Sequence, residues 1–112
     1  MIQLTVVGRV GADPTVNSVN NEKVAINFDL VHTERFKNDR GEMVERPTWV
    51  RASMFRKPEK TGVKDYIRKG DTVMVTGFPS ASGYQDKEGK IQAGLNVRVK
   101  DLEFIHSKKQ TV

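Results

Sequence analysis

Between residues 48 and 55 two kinds of side chain alternate without a break, and this alternation constrains the chain more than any other stretch. Successive side chains of a strand point to opposite faces. In Thr48-Trp49-Val50-Arg51-Ala52-Ser53-Met54-Phe55 that places Val50, Ala52 and Met54 on one face and Trp49, Arg51, Ser53 and Phe55 on the other. The aliphatic face makes a core. The other face sets two rings around a cation and a hydroxyl, a surface on which a flat ring can stack and a phosphate can be held. The reverse orientation would bury Arg51 between core aromatics with no visible partner, which is costly.

The stretch before it has the same period. Val24, Ile26, Phe28 and Leu30 alternate with Ala25, Asn27, Asp29 and Val31, and the strand runs on through Glu34-Arg35-Phe36 to Lys37. Asn38-Asp39-Arg40-Gly41-Glu42 is turn chemistry, so the two strands form a long hairpin. Residues 2–10 read as the first strand, with Ile2, Leu4 and Val6 on one face and a bulge or sharp coil expected at Gly8. A turn at 11–14 follows, then a short continuation at 16–19. Pro58, Glu59, the basic residues Lys64, Arg68 and Lys69, and Gly70 mark start and stop signals for one short helix over 58–68, with Val63, Tyr66 and Ile67 on its apolar face. Residues 71–78 and 91–105 complete the strands. Gly77 stands where a barrel strand must bend, and a register change near Asp101 is expected to bring Leu102 and Phe104 inward. Phe28, Tyr66, Phe78 and Phe104 read as core rings.

Three strands, a helix and two strands in that order predict an all-β fold: the five-stranded Greek-key barrel of the oligonucleotide-binding (OB) fold, with one short helix between strands 3 and 4. At 112 residues the chain is expected to be one domain over 1–105 with a short polar tail over 106–112. There is no cysteine, which removes disulfides and thiolate chemistry, and His32 and His106 stand apart from any metal-ligand spacing. No cofactor is expected. The apolar start lacks a basic leader region and a cleavage site, and no apolar run is long enough to cross a bilayer, so a soluble protein with no membrane partner is expected. A formal charge of +5, spread along the chain, favours a polyanionic partner.

No nucleophile elbow, P-loop or dinucleotide fingerprint occurs, and the carboxylates stand mostly in turns beside lysine or arginine, so no enzymatic role is expected. What recurs is an aromatic beside a cation: Phe36 between Arg35 and Lys37, Trp49 and Phe55 around Arg51 and next to Arg56, and Tyr84 ahead of Lys87. Rings and cations arranged this way suit a flexible polyanion with unpaired bases, each stacked base contributing roughly 1–3 kcal/mol.

The chain resembles the bacterial single-stranded DNA-binding protein family over nearly all of residues 1–105. The shared marks are Leu4-Thr5-Val6-Val7-Gly8-Arg9-Val10-Gly11-Ala12-Asp13-Pro14, Val24-Ala25-Ile26-Asn27-Phe28, Glu34-Arg35-Phe36 and Trp49-Val50-Arg51 with Phe55. Others are Ile67-Arg68-Lys69-Gly70-Asp71, Val75-Thr76-Gly77 and Tyr84-Gln85-Asp86-Lys87-Glu88-Gly89. The resemblance implies that Phe36, Trp49, Phe55 and Tyr84 stack on bases. It also implies protection of single-stranded DNA in replication, recombination or repair, a homotetramer with a dimer as the fallback, and a cytoplasmic, nucleoid-associated setting of bacterial, plasmid or phage origin. The sequence departs from the family pattern in three places. Ser80-Ala81-Ser82-Gly83, after Pro79, replaces a basic strand; Val50 replaces a histidine of the subunit contact; and Lys108-Lys109-Gln110-Thr111-Val112 stands where the family has a long acidic-tipped tail. The missing tail favours an alternative, a restart accessory protein similar to primosomal protein B that bridges replication partners. The retained aromatics favour direct binding.

Overall fold

The period-two patterns become six strands in the computed structural model, which describes residues 1–106 apart from the side chains of Val63 and His106. These are β1 (Leu4–Val10), β2 (Thr15–Ser18), β3 (Val24–Lys37), β4 (Met43–Arg56), β5 (Thr72–Gln85) and β6 (Ile91–His106). They join in the order β1-β5-β6-β4-β3-β2, and a further β1–β3 pairing closes five of them into a barrel. The OB fold expected from the strand order is therefore present. β1 and β2 lie end to end along one edge of β3, through Arg9↔Val31 and Val10↔Leu30 for β1 and Thr15↔Asn27 to Ser18↔Val24 for β2. The 11–14 turn thus interrupts a single path. β4 and β6 run parallel from Val50↔Leu95 to Ser53↔Arg98, and the other pairs are antiparallel.

The core consists of the inward residues of this barrel. Val6 and Val10 meet Ile26, Phe28 and Leu30 from β3, Val50, Ala52 and Met54 from β4, Val73 and Val75 from β5, and Val97 and Val99 from β6, with Ile67 packed against them. Val50 is only 2% exposed in its own barrel, so its side chain is not available to a subunit contact. β6 changes parity where expected. The partner step from Thr76↔Asp101 to Gly77↔Val99 passes over Lys100, and the inward position shifts from Val99 to Leu102, which packs on the core. A Cβ at Gly77 would run into the Arg98 carbonyl, so only glycine fits where the strands bend together.

Several expectations are corrected. No bulge forms at Gly8: the β1–β5 register is continuous from Leu4↔Gly77 to Arg9↔Thr72, and Gly8 occupies an inward position, where a Cβ would lie 3.1 Å from the Val31 carbonyl oxygen. Ile2 precedes β1 and is exposed. The strand expected over 71–78 continues through Pro79 to Gln85.

The helix expected over 58–68 is absent, and only one 3-10 turn forms, at Gly62–Asp65. The backbone bonds around it close separate three-residue turns, Lys60 N–H to Lys57 O, Lys64 N–H to Thr61 O and Asp71 N–H to Arg68 O. Beyond them the amides of Arg68 and Lys69 donate to the carboxylates of Asp71 and Asp13, so side chains hold the donors that a helix would need. Ile67 is buried, but Tyr66 is 71% exposed and Phe104 42% exposed, so neither is a core ring. The Val63 side chain, expected on the same face, lies outside the described residues. Of the expected tail, His106 still belongs to β6, and 107–112 lie outside the described residues.

Candidate nucleic-acid interface

The outward residues of β3, β4, β6 and β5 form rows across one face of the sheet. Asp29 on β3 faces Arg51 on β4, Arg51 faces Asn96 on β6, and Asn96 faces Ser80 on β5. One step towards the hairpin end stand Val31 and Trp49, with Ser82 and Gly94 beyond them; one step the other way stand Asn27, Ser53, Arg98 and Phe78. The face has rings at both ends and a polar middle.

Trp49, Arg51 and Tyr84 line one cleft together with Asp29, Ser82, Gly94 and Asn96. Trp49 and Tyr84 are each 56% exposed, an unusual cost for a ring with no ligand role. A glycine makes room for the indole: a Cβ at Gly11 would lie 2.7 Å from Trp49 Cζ3. The indole therefore rests against the β1–β2 turn. A second groove shares Asn96 with the first and is lined by Ser53, Phe55, Phe78, Pro79, Ser80 and Arg98, and a third hollow joins Phe55 to Arg56 and Lys57.

The remaining residues singled out in the sequence are spread more widely. Phe36 is opposite Val44 on the hairpin arm, at the parity of Leu30 and Val50, so it faces away from the side that carries Trp49. The Arg46 guanidinium covers its ring at 5.1 Å from the centroid. Arg35 lies on the Trp49 side of the arm but pairs with Glu45 at 3.1 Å, and Lys37 is opposite Met43 at the tip. Arg51 donates to Asp29 at 3.2 Å, so the cation between the two rings already has a carboxylate beside it. Arg56 donates to the Phe55 carbonyl at 2.9 Å. Lys87 stands in the turn between β5 and β6, which Asp86 organises.

In that turn Asp86 accepts from the Gln92 side chain at 3.0 Å and from the Lys90 and Glu88 amides at 2.9 Å each. The Gln92 bond first, and then the backbone bonds, hold its carboxyl below the ordinary value of 3.8. Phe78, Arg98 and Arg46, which the structure also places in ring–cation pairs on the surface, were not singled out as such in the sequence. Phe78 was misplaced in the core, although the outward parity of Ser80 and Ser82 on the same strand carried the signal that it faces out.

Residues 1–105 match the single-strand binding protein family. Curated relatives include the single-stranded DNA-binding protein of Neisseria meningitidis, 25% identical over 108 residues, and single-stranded DNA-binding protein 1 of Nostoc sp., 30% identical over 111 residues. The first alignment covers 96% of this chain and 62% of the Neisseria protein, so the chain spans less than two thirds of that relative; the second covers 95% and 84%. Among solved structures, the Plasmodium falciparum SSB complex with ssDNA matches with a TM-score of 0.73 at 20% identity, over 94% of this chain and 95% of that one. A small single-stranded DNA-binding protein from Streptomyces coelicolor matches with a TM-score of 0.70 at 18% identity, over 96% and 94%. At these identities the structural likeness concerns the fold.

Proposed function

The chain belongs to the single-strand binding protein family, and from that membership we propose that it binds and protects single-stranded DNA with little sequence preference. Bases stack on outward rings, arginine and lysine hold phosphates, and no bond chemistry takes place. The observation that carries this reading is the cleft in which Trp49 and Tyr84 stand exposed around Arg51. Two rings in one cleft, Trp49 on β4 and Tyr84 on β5 with β6 between them, can receive bases of an unpaired strand, whereas paired bases are already stacked and cannot reach them. The exposed rings also favour this reading over a mainly protein-bridging, restart-accessory role. Service in replication, recombination or repair, in the cytoplasm, belongs to the same proposal. Among the described residues no helix is long and apolar enough to cross a membrane.

Trp49 is the sole tryptophan, so its fluorescence reports one site. Titration with a thymidine oligomer at two salt concentrations should give a saturable change that weakens as salt rises, and a duplex of the same length should bind far more weakly. Equal affinity for the duplex would refute the reading.

A further inference from the structure

Phe78 is an outward ring on the middle of a strand, 46% exposed, where a core residue was expected. Its direct cross-strand partner is Arg98, whose guanidinium lies 5.0 Å from the ring centroid. Arg98 in turn stands opposite Ser53 in the parallel ladder, and Phe55 follows two residues along β4. These residues line a groove of about 440 Å³, within the usual range for ligand sites, and it shares Asn96 with the Trp49 cleft. The two arginines of the face differ. Arg51 is tied to Asp29, whereas among the described residues no ion pair includes Arg98, and the Phe78 ring holds it in place. β5 itself brings no charge here, since Ser80-Ala81-Ser82-Gly83 is neutral. A phosphate following this end of the groove therefore finds its cation on β6.

We propose that Phe78, Phe55 and Arg98 form a second station for unpaired DNA, the rings receiving a base and Arg98 the adjacent phosphate. This station rests on the single-strand-binding reading given above and extends it to the far end of the face. Trp49 and Phe55 are six residues apart on one strand, roughly 20 Å, so the second station engages nucleotides that the first does not reach.

The test compares wild type with Phe78→Ala, Arg98→Ala, Arg98→Lys and Trp49→Ala, each titrated with a long thymidine oligomer and each melted. Phe78→Ala should weaken binding roughly 5- to 150-fold, the worth of one base stack, with melting close to wild type because the ring lies outside the core. Arg98→Ala should flatten the log-log salt dependence by roughly 0.7, and Arg98→Lys should restore that slope without restoring full affinity. Crosslinking of the wild type to a bromodeoxyuridine oligomer should label the peptide containing Phe78, a readout that does not depend on any variant folding. Wild-type affinity in Phe78→Ala and Arg98→Ala, alongside a loss in Trp49→Ala, would overturn the second station and leave the parent reading standing. If wild type itself failed to bind the oligomer, both would fall.

Discussion

Trp49 shows how a single residue is turned out of the core and held there. Its neighbours in sequence, Thr48 and Val50, belong to the opposite face, so strand parity alone turns the indole outward, and Gly11 supplies the flat backbone on which it rests. Trp49→Ala should therefore weaken single-stranded DNA binding by about 1–3 kcal/mol while barely changing the melting temperature. A core tryptophan would behave in the opposite way, with a stability loss of about 3–5 kcal/mol. Melting and titrating the same sample separates the two. Gly11→Ala tests the support. Gly11 is not among the positive-φ glycines, so alanine suits its backbone and the fold should hold, but the new Cβ would come within 2.7 Å of the indole and displace it. The expected result is a shifted Trp49 emission and an affinity loss smaller than that of Trp49→Ala; unchanged emission would show that the contact does not position the ring.

At the scale of elements, the β5–β6 turn carries a pH dependence of known sign. Asp86 has a lowered pKa, so its contribution to the turn is fully present above the unfolded value of about 3.8 and is lost as pH falls through the lower folded value. Amide signals of Glu88 and Lys90 should titrate with a midpoint below about pH 3.8, and Asp86→Asn should remove that step. A transition well above pH 3.8 would contradict the assignment. The strands were the most legible elements, because Val24 to Leu30 and Val50 to Met54 are half-buried and the two-residue period is written into them. The helix was not, since Pro58, Glu59 and Gly70 are loop signals as much as helix signals. At the end of the segment Asp71 and Asp13 take the Arg68 and Lys69 amides, and Asp13 is 56 residues away from Lys69, a contact no local signal reports. Of the candidate site, the outward orientation was legible where parity was unbroken, at Trp49, Arg51 and Phe55. The site was illegible where it depended on neighbours across the sheet, Asp29 against Arg51 and Arg98 against Phe78, whereas the parity that groups Phe36 with Leu30 and turns it away from Trp49 was already present in the strand's alternation.

The whole molecule is more extended than its length requires. Its radius of gyration is 15.9 Å, against roughly 13 Å for a compact domain of this size. The excess comes from long hairpins: β3 and β4 remain paired out to Lys37↔Met43, well past the last core pair Leu30↔Val50, and β5 and β6 remain paired to Gln85↔Ile91. A two-stranded ribbon standing alone is marginal in water. β1 adds an open edge, since it pairs with β3 only at Arg9 and Val10, and the outward Val7 is exposed nearby. Such an edge is a template for another chain unless something covers it. A second copy of this chain would cover it symmetrically, giving a closed two-fold pair in which the same strand faces itself, and two such pairs would make the homotetramer expected from the family resemblance. Light scattering at micromolar concentration should therefore return the mass of a tetramer, or of a dimer if only the first contact forms. The Val7 carbonyl lies 3.0 Å from His32 Nδ1, on the side away from β5, so its N–H faces the same edge, and Val7→Pro should lower the mass while leaving binding at the Trp49 cleft measurable. A monomer mass for the wild-type chain would show that the open edge is protected by its own geometry, and the proposed assembly would be wrong.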